Sequence, residues 1–182
     1  MKRSKSLKLA LMGASALALT ACEEPQDVAI FENVDQCTQQ DGFDRSTCEE
    51  NLKLAEAEHI RVSPKYTSVE DCEVDFGATQ CEIAPMQTSG GGSVFMPLMM
   101  GYMMGNMLGG NSRVATQPLY RSADDSKNFR TGDNQKVAGK TGISKVPGNV
   151  AKAPTTKTNT VKRGGFGASA PRTTSRSRSF GG

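Results

Sequence analysis

The five cysteines are the residues of this chain whose type and spacing could do chemistry. Cys22 follows Leu19, Thr20 and Ala21, the apolar and small residues that precede the lipid-modified cysteine of bacterial lipoproteins. Acyl chains such as palmitate would hold the protein at a membrane, because each buried methylene contributes about 0.8 kcal/mol. The pattern predicts lipidation of Cys22, and an ordinary signal peptide with an incidental cysteine is the alternative.

The segment before Cys22 predicts export from the cytoplasm. Its basic residues are Lys2, Arg3, Lys5 and Lys8, and an apolar run of thirteen residues covers 9–21. A helix that spans a bilayer needs roughly 20 apolar residues, so a cleaved signal peptide is expected instead. Because Glu23 rather than an aspartate follows the cysteine, we expect a lipid-anchored protein of the outer membrane that faces the periplasm.

The other four cysteines predict two disulfides, because an even number of cysteines in an exported protein is typical of a disulfide framework. Their spacing favours the local pairs Cys37–Cys48 and Cys72–Cys81, and a crossed connectivity stays open. A redox or zinc site is the weaker alternative, because the chain has no C-x-x-C motif and a single histidine, His59. We therefore expect no metal and no catalytic residue among them.

Charge divides the chain into an acidic and a basic part. The side chains of residues 23–85 carry a net charge of −12, whereas those of residues 110–182 carry +11. Such a chain can fold its basic part onto its acidic part, pair with another copy, or present the basic part to an acidic polymer. An exported chain rarely meets nucleic acid, so anionic lipid, lipopolysaccharide or a protein is the partner expected for these bases, and a solvated basic part without a defined ligand is the alternative.

The acidic part has the features of a small helical module. Asn33, Ser46 and Thr67 each precede a glutamine or glutamate by three residues, which is the spacing of a helix N-terminal cap. Large apolar residues are few in this module, so its core is expected to need disulfides for stability. Each disulfide would contribute roughly 2–4 kcal/mol by restricting the unfolded chain.

Residues 94–109 are rich in methionine and glycine and predict a short apolar helix. At 100° per residue one face would carry Met96, Met99, Met100, Met103, Met104 and Met107. The other face would carry Gly101, Gly105 and Gly109, which permit close helix packing. The expected task is contact with a membrane surface, with the acidic module, with a protein partner or with another copy. The alternative is Cu(I) binding, because thioether sulfur is a soft ligand.

The expected fold class is mainly α: a disulfide-stapled helical module, a Met/Gly-rich helix and a long disordered tail. The tail is rich in polar residues and carries large apolar residues singly, so it cannot bury enough surface to offset its ordering entropy. The expected segments are a signal peptide (1–21), a linker (22–31), the acidic module (32–85), a flexible linker (86–93), the Met/Gly helix (94–109) and the basic tail (110–182).

Several short motifs, each weak alone, occur together along most of the chain. They are Ser63-Pro64-Lys65-Tyr66-Thr67, Glu70-Asp71-Cys72, Phe76-Gly77, Phe95-Met96-Pro97-Leu98-Met99, Gly101-Tyr102-Met103-Met104-Gly105, Gln117-Pro118-Leu119 and Thr160-Val161-Lys162-Arg163-Gly164-Gly165-Phe166-Gly167. In this order they resemble the YgiB-like proteins, small gammaproteobacterial lipoproteins of unknown function. The resemblance implies an envelope protein and supplies no catalytic residues. We therefore expect a non-catalytic lipoprotein without a cofactor.

Overall fold

The computed structural model describes residues 24–88, 90–105, 114–156, 160, 161 and 166. Within these residues the helices and strands follow in this order: β1 (Gln26–Phe31), α1 (Val34–Thr38), α2 (Arg45–Val62), β2 (Lys65–Tyr66), α3 (Val69–Phe76), β3 (Cys81–Gln87), β4 (Ser93–Pro97), β5 (Gly101–Gly105), β6 (Gln117–Ser122), β7 (Asp125–Arg130), β8 (Gly142–Val146), α4 (Gly148–Ala151) and β9 (Thr160–Val161). Strands account for 34% and helices for 28% of the described residues, so the prediction of a mainly α fold is wrong.

Five strands form an antiparallel half-barrel in the order β7-β6-β5-β1-β8. β1 lies between β5 and β8, where Val28 is opposite Gly105 on one side and Ser144 on the other. The side chains of its last four residues, Val28 to Phe31, are buried. The linker predicted for residues 22–31 therefore contains a strand that is buried on both faces, because a strand covered on both faces is a continuous apolar run without alternation.

The two faces of β1 belong to two different apolar clusters. One cluster contains Val28, Ile30, Met103, Leu119, Phe129, Val146, Val150 and Ala151. The other contains Ala29, Phe31, Cys37, Phe43, Cys48, Ala55, Tyr102 and Met104. Helices α1 and α2 supply the cysteines, Phe43 precedes α2, and Ala55 lies within α2. The first helices thus cover one face of the half-barrel.

The N-terminal helices lie close to where the sequence predicts them. The Asn33 side chain accepts a hydrogen bond from the Gln36 amide at 2.8 Å and caps α1. The caps of α2 and α3 are Asp44 and Ser68, which lie within two residues of the predicted caps. Disulfides are also present as predicted: Cys37 is bonded to Cys48 and Cys72 to Cys81. These bonds join α1 to α2 and α3 to β3.

A second, smaller sheet has the strand order β3-β4-β2-β9. Its centre is short, since β2 has only two residues, and Tyr66 of β2 is paired with Phe95 of β4. On the other edge β2 pairs in parallel with β9. One of its residues, Lys65 of β2, belongs to the group of buried polar residues discussed below.

The predicted Met/Gly helix over residues 94–109 is absent from the described part of this segment. Residues 93–97 and 101–105 form β4 and β5. Adjacent Met103 and Met104 belong to the two opposite clusters, as side chains of successive strand residues do. Periodicity fails here because a short apolar run buried on both faces fits a helix and a strand equally well.

The prediction of a disordered tail over residues 110–182 is wrong for residues 114–156. These residues form β6, β7, β8 and α4. Their single apolar residues Leu119, Phe129 and Val146 insert into the cluster around Val28 and Ile30. An existing apolar sheet thus supplies the burial that the polar segment cannot provide by itself. Residues 167–182 lie outside the described residues.

Opposite charges link the acidic and basic parts of the chain. Arg121 is 3.1 Å from Glu32, and Lys145 is 3.6 Å from Asp27. Both pairs are partly exposed, so each contributes little to stability on its own. The folding of the basic part onto the acidic part, one of the three arrangements allowed by the charge pattern, is therefore present in this structure.

Candidate functional site

Two polar side chains are buried where α2 leads into β2. Ser63 directly follows α2 as its C-terminal cap, and Lys65 is the first residue of β2. The Lys65 ammonium donates to the Ser63 carbonyl at 2.9 Å and also contacts the Ser63 hydroxyl. Burial lowers the pKa of Lys65 to about 8. The Ser63 hydroxyl in turn donates to the sulfur of Met96, 3.4 Å away.

His59 lies on the inner face of α2, beside this pair. Its Nδ1 is 2.8 Å from the Tyr120 hydroxyl, and its Nε2 is 3.2 Å from a carboxylate oxygen of Glu82. Because a carboxylate only accepts, Nε2 carries the proton and Tyr120 donates to Nδ1. Burial lowers the pKa of His59, although Glu82 opposes this shift. Burial raises the pKa of Tyr120, so both rings are neutral at pH 7.

A third buried contact links β2 to α3. The Tyr66 hydroxyl donates to Asp75 at 2.8 Å, and both residues are buried. Burial together with this hydrogen bond raises the pKa of Tyr66. The rings of Tyr66, Phe76 and Tyr120 surround the contact, with Phe166 packed against the last two. We call this set the aromatic cluster.

Ser63 and Lys65 are the residues of the described chain whose chemistry comes closest to a catalytic pair. A serine hydroxyl beside a lysine of lowered pKa is the arrangement of nucleophile and base in serine–lysine enzymes. Here both side chains are buried, with at most 1% exposed. A substrate cannot reach the hydroxyl in this conformation. The spacing Ser-x-Lys was present in the sequence but gives no signal by itself.

Phe76 also lines a cavity of about 240 Å³. Its wall combines apolar with polar residues: Phe76, Gln80, Leu98, Met100, Arg121, Ser122, Ala123 and Ser126. Arg121 is fixed at this wall, since its guanidinium lies 4.1 Å from the centre of the Phe129 ring and bonds Glu32 at 3.1 Å. Among the described residues, the Ser122 hydroxyl and the Arg121 Nε have no hydrogen-bond partner. The cavity has room for a small molecule with an apolar part and a hydrogen-bonding group.

The methionines predicted to bind Cu(I) do not share one face. Met100 and Met103 pack with the cluster around Val28, Met99 and Met104 pack with the cluster around Phe31, and Met96 lies in a third cluster. Met107 lies outside the described residues. In a strand, neighbouring side chains point to opposite faces, so these methionine side chains do not converge as they would on one face of a helix. The prediction of a Cu(I) site depended on that convergence. The described residues also hold no group of three His, Cys, Asp or Glu side chains suited to a metal.

The glycines predicted for helix packing serve a strand instead. A Cβ atom at Gly101 would lie 2.8 Å from the Phe31 carbonyl oxygen and 3.3 Å from the Phe129 ring. The backbone at Gly101 must therefore lie close to Phe31 and Phe129, and this close packing is between strands and not between helices. Gly105 ends β5 opposite Val28. Gly109, like the predicted lipidation site Cys22, lies outside the described residues.

Comparison with known proteins gives the family of the chain. A family model described as "Protein of unknown function (DUF1190)" matches residues 25–177. The chain belongs to this family. The DUF1190 description names no substrate, ligand or reaction, so it confirms membership of a family of unknown function and adds no residue roles.

The relatives of this DUF1190 chain are gammaproteobacterial proteins. It is 38% identical over 193 residues to a UPF0441 protein of Serratia proteamaculans (strain 568), an alignment that covers 94% of this chain and 84% of that protein. A UPF0441 protein of Yersinia pestis bv. Antiqua (strain Antiqua) is 34% identical, with the same coverage. No solved structure matches the chain. Among the described residues, no helix is long and apolar enough to cross a membrane.

Proposed function

We propose that this protein is a non-catalytic lipoprotein of the cell envelope, anchored in the outer membrane through acyl chains on Cys22 and facing the periplasm. Its folded part would serve for contact with a protein or with the membrane. The observation that carries the proposal is the sequence Leu19-Thr20-Ala21-Cys22, which ends four residues before the first strand begins at Gln26.

The short connection would hold one end of the half-barrel at the membrane. Four residues span at most about 14 Å, because each extended residue adds about 3.3–3.6 Å. The start of β1 lies beside the end of β8, where Gln26 is paired with Val146. At this end Gln117 also donates to the Val150 carbonyl of α4 at 2.9 Å. An anchor at Cys22 would thus direct α4 and its neighbours toward the lipid surface.

The two disulfides support an exported location. Disulfides persist in oxidising compartments such as the periplasm and are rare in the cytoplasm. The buried state of Ser63 and Lys65 supports a role in contact rather than in catalysis. The basic residues that follow Val161, from Lys162 to Arg178, are suited to anionic lipid or lipopolysaccharide, and this interaction is part of the proposal.

The test is metabolic labelling with palmitate in bacteria that express the full chain. Cys22→Ser should abolish the label and leave unprocessed precursor, because serine cannot form the thioether. Cys37→Ser is the matched control, and it should keep the label because Cys37 is distant in sequence from the processing site. Labelling of the Cys22→Ser chain at the level of the unaltered chain would contradict the anchor.

A further inference from the structure

A short extended segment of the chain completes the smaller sheet. The backbone of β9 pairs in parallel with β2, with Thr160 opposite Lys65 and Val161 opposite Tyr66. The other named strand pairs in both sheets are antiparallel. β9 therefore joins β2 as an added strand and not as part of a hairpin, as a bound peptide does when it augments a sheet edge.

A single aromatic side chain anchors the same segment five residues later. The Phe166 ring centre lies 4.7 Å from that of Phe76 and 6.3 Å from that of Tyr120, and 4% of Phe166 is exposed. Aromatic pairs at these distances are favourable beyond the area they bury. Backbone pairing plus one buried side chain is how strand-adding peptides gain affinity and specificity.

The surface that receives the segment is held in place by contacts of its own. β2 is paired on its other edge with β4, and the Tyr66 hydroxyl is fixed by Asp75 at 2.8 Å. The Tyr120 hydroxyl is fixed by His59, also at 2.8 Å. We call the outer edge of β2 together with Phe76 and Tyr120 the β2 groove. Its shape is set by residues outside the segment that fills it.

The chain is also tied down just before the segment begins. The Thr155 amide and hydroxyl donate to the Asp133 carboxylate at 2.9 and 2.7 Å, and Arg61 bonds the Thr156 hydroxyl. These contacts fix the chain up to Thr156 through residues that lie outside the β2 groove. The same residues of another copy have the same sequence and can make the same contacts, which makes exchange of such a segment a low-cost route to association.

We propose that the β2 groove is a peptide-docking site, which the chain fills with its own β9 backbone and Phe166 side chain and which the same residues of a second copy fill in exchange. Exchange would link two chains through β2 and the aromatic cluster. The inference goes beyond lipid anchoring and does not depend on it.

The test uses the full chain with Phe166→Ala, which removes the anchor and leaves the groove residues unchanged. A fluorescent synthetic peptide with the sequence of residues 158–168 is the probe. It should bind this variant at least about tenfold more tightly than the unaltered chain, whose groove is filled, because one buried phenylalanine is worth about that factor. A control peptide with alanine in place of Phe166 should bind at least about tenfold more weakly. Equal binding to both chains, or of both peptides, would overturn the proposal.

Two further measurements cover the remaining outcomes. Where Phe166→Ala changes the far-UV circular dichroism spectrum, the unaltered chain is titrated with the peptide while the amide resonances of Lys65 and Tyr66 are followed by NMR. Saturable shifts support the groove, and unchanged resonances refute it. A Phe166→Ala chain should also retain a differently tagged unaltered chain on an affinity resin, in a manner that the peptide competes. No retention would refute exchange with a second copy.

Discussion

The half-barrel and the smaller sheet are stabilised in different ways. In the half-barrel, Val28 to Phe31 of β1 are buried between two apolar clusters, and β1 pairs with β8 over five consecutive residues. In the smaller sheet, the central strand β2 has two residues and one of them is a buried lysine. A disulfide joins α3 to β3 at one edge of this sheet, and β9 forms the other edge.

The two sheets should therefore be sensitive to different kinds of substitution. Apolar burial is spread over many side chains of the half-barrel, so its stability depends on packing volume. The smaller sheet depends on individual polar contacts, on one covalent bond and on an added strand. Directed contacts of this kind can be opened or exchanged one at a time, whereas a packed core is lost cooperatively. A surface that changes partners is therefore expected on the smaller sheet.

The largest expected effect is a cavity in the half-barrel. Ile30→Ala should lower the free energy of unfolding by about 2–5 kcal/mol, because Ile30 is completely buried and the surrounding strands cannot collapse onto the space. Denaturant unfolding measures this loss. Ile143→Ala in β8 of the same sheet is the control: Ile143 is 40% exposed, and the loss should be well below that of Ile30→Ala. Equal losses would contradict the packed-sheet interpretation.

Local features of this fold are predictable from the sequence, and distant pairings are not. The cap at Asn33 and the disulfides act over a few residues, so spacing alone indicates them. The pairing of Gln26 with Val146 joins residues 120 positions apart, and no local pattern specifies it. The same holds for the β2 groove and the side chain that fills it, because Lys65, Tyr120 and Phe166 come from three distant segments.

Composition misled the prediction in the basic part for a related reason. Leu119, Phe129 and Val146 stand alone in polar sequence, and single apolar residues do not build a core by themselves. They are buried because β1 supplies the rest of the cluster. Order in residues 114–156 is thus a property of the whole fold, which composition within one segment does not report.

Removal of the disulfide in the smaller sheet should have the next largest effect. Cys72→Ser with Cys81→Ser should lower the free energy of unfolding by about 2–3 kcal/mol, since the bond closes a short loop in the unfolded chain. Cys37→Ser with Cys48→Ser is the matched control, because its loop is of similar length. The two variants should lose similar amounts of the free energy of unfolding, but different parts of the chain should become accessible. Limited proteolysis should cut residues 77–98 in the first variant only, and equal protection of that region in both variants would contradict the comparison.

The smallest expected effect is a pH dependence that belongs to Lys65. Burial lowers its pKa to about 8 in the folded chain, from the ordinary 10.5 of a lysine in the unfolded chain. Between these values the unfolded chain binds more protons, so the free energy of unfolding should rise with pH. The expected rise from about pH 7.5 to about pH 9.5 is about 1–2 kcal/mol. His59 contributes nothing in this range, because burial keeps its pKa below 6.5.

Lys65→Met should flatten this rise, because methionine fills a similar volume without a proton to lose. Lys127→Met, at an exposed position of β7, is the control and should retain the full rise. The measurement is denaturant unfolding at several pH values, stopped at about pH 9.5. Above about pH 10 the buried tyrosines oppose the trend, because the pKa of Tyr102 is raised to about 12 and the folded chain then binds more protons. An unchanged rise in Lys65→Met would show that the buried lysine does not set the pH dependence of the free energy of unfolding. The stability of the smaller sheet would then depend less on single polar contacts, and its contrast with the apolar half-barrel would be smaller than the structure indicates.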